Sequence, residues 1–205
     1  MTITLNTSEP ALIRPAMPLW DGAPVGTWAN LVTVVRTVVA VALGMAAVVG
    51  HDARLLVVAY AVYWVGDMLD GWLARRLDQE TRLGAIADIV SDRACCAVLV
   101  CGLCTVQPAL WPALVVFLLQ FMVLDCVLSL SFLGWPLLSP NDFHRVSVVV
   151  WRLNWSPPAK AINTAGVVLA VATGSLPLAV SVAVAQVAVK AWSAYRVTTL
   201  ALPGR

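Results

Sequence analysis

The chain has 205 residues; 60% are hydrophobic, only 12% are charged, and mean hydropathy is +0.86. Soluble domains carry about 25% charged residues, so this composition argues against a soluble globular protein. A net charge of +2 is too small to point to nucleic acid.

Met1 to Pro18 lack the basic start, apolar core and small-residue cleavage site of a signal peptide. Residues 1–26, with Pro15, Pro18, Trp20, Asp21 and Pro24, are expected to lie at the cytosolic membrane interface, where tryptophans favour the headgroup level. Residues 27–205 are expected to form one domain. A membrane-spanning helix needs about 20 mostly apolar residues. Six stretches are read as spans: Thr27 to Val49, Arg54 to Arg76, Arg82 to Cys104, Leu110 to Trp135, Ala159 to Thr173 and Leu176 to Leu200. The expected fold is therefore all-α, a polytopic bundle of six transmembrane helices with an interfacial N-terminal segment. The long loop Leu137 to Pro158 carries His144, Trp151 and Trp155 and reads as an interfacial anchor, as do Trp135 and Trp192.

Lys and Arg concentrate in cytoplasmic loops. Arg14, then Arg75, Arg76 and Arg82, then Arg145, Arg152 and Lys160, then Arg196 and Arg205 alternate with connections bearing only Arg54 or no basic residue. Both termini, the second-to-third loop and the fourth-to-fifth loop are expected on the cytosolic side of the cell membrane. Of the five cysteines, Cys101 and Cys104 form a C-x-x-C. No His or second pair accompanies them, so they read as small packing residues rather than a zinc or redox pair.

The chemistry lies in Gly66 to Arg93, GDMLDGWLARRLDQETRLGAIADIVSDR. Ionisable groups in spans are costly and mark function. Asp67 and Asp70 are three residues apart and share a helix face, extended by Ala74; Asp88 and Asp92 are four apart and share another, with Gly84 one turn back. A linker of about five residues makes the two helices antiparallel neighbours, so four carboxylates converge. They would repel without cations between them. Oxygen donors suit magnesium, manganese or calcium, and two such ions about 4 Å apart form a clamp for displacement at phosphorus. Gly71 and Gly84 either admit a ligand to the backbone or allow close helix packing. Arg75 either reaches a diphosphate or anchors at the interface. Thr81 is either a helix-start residue or a phosphate contact.

Asp67-x2-Asp70-Gly71-x2-Ala74-Arg75-x8-Gly84-x3-Asp88-x3-Asp92 resembles the complete signature of the CDP-alcohol phosphotransferases. The resemblance implies a homodimeric membrane enzyme of phospholipid synthesis. It would use two Mg2+ (or Mn2+) ions and take CDP-diacylglycerol and a polar alcohol as substrates. Asp67 and Asp88 would bridge both ions, Asp70 would bind one, and Asp92 would touch the other and serve as general base. Gly71, Arg75 and Thr81, with Ala74 and Gly84 in the same signature, would contact the CDP-alcohol. Asn30, Thr33 and Arg36 in the first span (N-x-x-T-x-x-R) resemble the family's nucleotide-facing first helix; Asn30 and Thr33 join the expected substrate contacts.

The acceptor is read from weaker features. Arg145, Arg152, Lys160 and Arg196 either line a pocket for a phosphorylated acceptor or merely follow the positive-inside bias. Arg93, directly after Asp92, resembles the Asp-Arg pair of phosphatidylinositol-phosphate synthases. Ser156 to Thr164, SPPAKAINT, is distantly similar to the Gly-Lys-x-Lys-Thr region of phosphatidylglycerophosphate synthases, keeping only Lys160 of two lysines. A phosphorylated polyol, inositol phosphate or glycerol phosphate, is the favoured acceptor. Asp125 and Lys190 are read as buried charges that pair with each other or with Arg36. The rival functions are a cation carrier and a catalytically inactive lipid-binding member of the family.

Overall fold

The computed structural model describes residues 24–201. The segment before Pro24 and the last four residues, including Arg14, Trp20, Asp21 and Arg205, lie outside the described residues, as does the expectation of an interfacial N-terminus. The described residues form helices joined by short connections, with no strand among them.

Local sequence sets the helix ends. Helix α1, Trp28–Gly50, is capped by Thr27, whose hydroxyl accepts the Asn30 N–H at 3.1 Å. It ends where His51 turns left-handed at φ 50°. Helix α2, Ala53–Arg76, is capped by Asp52 through the Arg54 and Leu55 N–H groups. After a turn through Asp78, helix α3, Arg82–Val106, is capped by Thr81, which accepts the Gly84 N–H at 2.9 Å. The next rod is continuous but irregular. A 3-10 turn, Pro108–Leu110, leads into α4, Trp111–Leu119; a π-helical stretch, Gln120–Asp125, follows, then α5, Cys126–Leu130, and a 3-10 turn, Ser131–Gly134. Helix α7, Pro157–Thr173, starts at Ser156 with Pro157 and Pro158 at its first positions, and stops at Gly174, φ 61°. Helix α8 is Leu176–Ala201.

The stretch read as a loop, Leu137 to Pro158, instead holds a 3-10 helix, Pro140–Arg145, and a short helix α6, Val148–Asn154, capped by Ser147. Of the tryptophans read as interfacial anchors, two pack inside the bundle. Trp155 is buried against the Phe143 ring at 4.9 Å, and Trp135 meets Phe143 edge-on at 5.2 Å. These rings join Ile89, Leu128, Phe132, Val150 and Val197 in one apolar core. Helix packing supplied a better place for them than the headgroups.

Helix α1 packs along both α2 and α3, while α8 gathers α4, α5, α6 and α7; α3 joins the two halves through α4 and α5. Outward faces are apolar: Val34, Val38, Val49 and Val57 are largely exposed. Inward faces carry Arg36, Asp70, Arg93, Asp125 and Lys190, all buried. That polarity suits a hydrocarbon solvent. Among the described residues, four segments are long and apolar enough to cross a membrane: Trp28–Gly50, Arg82–Val106, Pro108–Gly134 and Leu176–Leu200. Helix α2 has the length, at 24 residues, but carries Arg54, Asp67, Asp70, Arg75 and Arg76. Helix α7 has only 17 residues, about 26 Å of rise against a core of about 30 Å.

One buried ion cluster fastens the halves. Asp125, at the end of the π-helical stretch, pairs with Arg93 of α3 and Lys190 of α8. Arg93 also stacks over Phe121, 4.1 Å from its centroid, and reaches Ser129. Lys190 thus pairs with Asp125, and Arg36 is not its partner. Asp125→Asn leaves two cations in a low-dielectric interior and is expected to cost about 3–5 kcal/mol. Lys190→Met leaves the Arg93–Asp125 pair intact and should cost clearly less; thermal unfolding of both variants in detergent checks the order.

Candidate active site

The four aspartates come from two antiparallel helices. Asp67 and Asp70 lie near the end of α2, Asp88 and Asp92 near the start of α3, as the five-residue linker requires. One oxygen each from Asp67, Asp70 and Asp88 can be chosen so that all lie within 4.8 Å of one another. Such closeness of like charges needs a cation, and α1 supplies one. The Arg36 Nε donates to Asp70 at 2.7 Å; its Nη2 reaches Asp67 at 3.3 Å, Asp92 at 3.1 Å, and Asp88. Nη1 adds a contact to Asp92 at 3.2 Å. Thr33, one turn earlier, donates its hydroxyl to Asp70 at 2.8 Å.

Arg36 reaches the cluster by lying across Gly66. A Cβ at Gly66 would stand 2.5 Å from the Arg36 Cβ and 2.7 Å from its Cδ, so only glycine allows the crossing. Gly84 has a similar reason: a Cβ there would fall 2.9 Å from both Asn30 Oδ1 and Thr81 Oγ1. Close packing of α1 on α3 therefore accounts for Gly84. At Gly71 the Arg75 guanidinium folds back to 3.4 Å from the point where a Cβ would stand, so the missing side chain lets that cation lie along α2.

An open cleft lies beside the cluster. Asn30, Thr33, Gly71, Ala74, Arg75, Thr81 and Gly84, every residue expected to touch the CDP-alcohol, line it together with Asp70 and Asp88. Gln79 and Glu80 of the linker and Leu138, Ser139 and Asn141 complete the walls. The residues read as an acceptor pocket come from five different elements. Lys160 is exposed and donates to Asn141 Oδ1 at 2.9 Å, which sets it at the rim of the cleft. Arg145 and Arg152 are exposed on the 3-10 helix and α6, Arg196 lies over Trp192 on α8, and Arg93 is turned into the buried pair with Asp125.

Sequence reasoning placed Arg36 on the nucleotide-facing helix without its contacts to the aspartates, and missed Gly66 altogether. The signal for Arg36 was present, since it continues the Asn30–Thr33 face at helical spacing. Leu138, Ser139 and Asn141 had no signal, because no periodicity ties a connection to a helix 50 residues away.

The carboxylate set is oxygen-only and in excess of its cation: four carboxylates against one guanidinium leave three negative charges among the direct contacts. Those donors fit hard divalent ions. The model of the CDP-alcohol phosphatidyltransferase family matches residues 26–200. The chain belongs to this family. Within it, the chain is similar to the CDP-diacylglycerol--inositol 3-phosphatidyltransferase of Schizosaccharomyces pombe, with 50% identity over 42 residues. That match covers 20% of this chain and 18% of the yeast protein. No solved structure matches. The four-aspartate cluster and cleft described above lie inside the segment that carries the family assignment.

Thr81 serves as helix cap here, so Thr81→Ala is expected to cost about 1 kcal/mol of stability, while Thr81→Ser keeps it; unfolding in detergent separates the two. Gly66→Ala should be far more damaging than Gly71→Ala, because only the former drives a Cβ into the buried Arg36 stem.

Proposed function

We propose that the chain transfers the phosphatidyl group of CDP-diacylglycerol to an alcohol acceptor and releases CMP, a step of membrane phospholipid synthesis. The observation that carries this reading is the convergence of four signature aspartates beside a cleft lined by every other signature position.

Asp67, Asp70, Asp88 and Asp92 would hold two divalent ions, magnesium or manganese. Bound there, such ions neutralise the diphosphate and stabilise departing CMP. The chain's own groups orient the reactants. Asn30, Thr33, Ala74 and Thr81 give the cytidine end polar and small contacts, and Gly71 and Gly84 leave room along the backbone. Arg75, lying over Gly71, offers a guanidinium to phosphate oxygens. Asp92, a full turn beyond Asp88, accepts the proton of the acceptor hydroxyl. The oxygen so freed bonds to the lipid-side phosphorus while the bond from that phosphorus to CMP breaks.

We read the acceptor as a polyol, favouring a phosphorylated one such as inositol phosphate or glycerol 3-phosphate. Lys160 supports this, since it places an ammonium at the cleft rim through Asn141; Arg145 and Arg152 stand on the same connection. Arg196 and Arg93 are the weaker members of that set. In the membrane we propose six spans, α2 and α7 completing the four clear ones. The bias of Arg and Lys supports a cleft on the cytosolic side, and we propose a homodimer of one domain over residues 27–205.

Asp92→Asn should fold normally yet lower CMP release from CDP-diacylglycerol by roughly 100- to 10,000-fold; undiminished release would remove Asp92 from the role of base. Chelation of divalent ions should abolish turnover and Mn2+ should restore it. Incubating labelled CDP-diacylglycerol with inositol, inositol phosphate and glycerol 3-phosphate separately, and resolving the lipid products, identifies the acceptor. A phosphorylated acceptor predicts that Lys160→Ala raises its KM; preference for free inositol, with no effect of Lys160→Ala, would sink that choice.

A further inference from the structure

Arg36 is the cation at the centre of the aspartate cluster. Its side chain is 2% exposed, and it contacts all four aspartates of the cluster. One nitrogen, Nη2, meets Asp67 from α2 together with Asp88 and Asp92 from α3. That position is shared by three carboxylates from two helices. Nε is committed separately to Asp70, which Thr33 also holds. The Tyr63 ring lies 5.6 Å from the guanidinium carbon and gives the fork an aromatic wall. The bare backbone at Gly66 admits the stem.

We propose that Arg36 is a built-in counter-cation, a positioning residue that holds the four carboxylates together in the ion-free protein and is displaced by divalent ions when they bind. This rests on the metal reading of the cluster given above. Arg36 solves one problem and creates another. Without it, four close carboxylates would repel one another before any ion arrived. With it, an entering ion competes with the guanidinium for the same carboxylates, so the guanidinium lowers the net affinity for the ion. Arg36 thereby exchanges some ion affinity for a site that keeps its shape when empty of ions.

An ordinary structural ion pair, or a ligand support that stays in place, has the opposite signature: loss of Arg36 would weaken ion binding or leave it unchanged. Displacement predicts the reverse. Mn2+ binding to the full chain in detergent, read by electron paramagnetic resonance of free Mn2+, should be tighter in Arg36→Gln than in the wild type, by about tenfold. In chelator, Arg36→Gln should melt well below the wild type, and saturating Mn2+ should close most of that gap. Arg36→Lys keeps the positive charge with fewer donors, so it covers the case in which the neutral variant does not fold; it should bind Mn2+ with intermediate affinity. Wild-type affinity, or weaker, in the folded variants overturns the displacement. Failure of the wild type itself to bind Mn2+ overturns the metal reading and this inference with it, so the two failures are distinguishable.

Discussion

Charge inside an apolar bundle must be answered by charge of the opposite sign, and most of this structure follows from that requirement. Water is absent from the interior of a spanning bundle, so each carboxylate needs a cation or a set of donors within reach. Two clusters show two solutions. At one, Asp125 is met by Arg93 and Lys190, and the excess is a single positive charge. At the other, four aspartates are met by Arg36 alone, and the excess is negative. The first has no place for a divalent cation. The second retains demand for one, beside an open cleft.

Both clusters depend on departures from regular helix packing. Asp125 closes a π-helical stretch, and such local widening is common at functional positions. Arg36 crosses α2 only because residue 66 is glycine. Arg93 and Asp92 are consecutive on α3, yet they serve different clusters, since successive helical positions point about 100° apart. One helix therefore joins the charged joint between the two halves of the bundle to the carboxylate site. The apolar residues that would pack an ordinary core are divided among three smaller clusters at the joints between helices.

The site was more legible than its surroundings. Aspartate spacing of three and four, with a five-residue linker, is enough to bring the carboxylates together, because helix geometry converts those intervals directly into a shared face. The cleft-lining positions Asn30 to Gly84 were legible only through resemblance to a family, since spacing alone left Asn30 and Thr33 as an ordinary helix entry. Trp135 and Trp155 read as interfacial from composition, yet pack on Phe143. Their neighbours are far away in sequence, so no local pattern separates a buried ring from a surface one. Helix α6 was invisible because seven residues, Val148–Asn154, give too short a run for periodicity to register.

By itself, the sequence determined the membrane class, the order and ends of the long helices, and the convergence of Asp67, Asp70, Asp88 and Asp92. Each of these depends on intervals of a few residues, where backbone geometry fixes the outcome. Tertiary structure decided which cation answers which carboxylate. Arg36 and Arg93 are both arginines on apolar helices, and either could have faced the cluster. Packing of α1 across Gly66 sent Arg36 to the four aspartates, and packing of α3 on α4 and α5 sent Arg93 to Asp125. That choice turns on contacts between helices many residues apart, which local intervals do not encode.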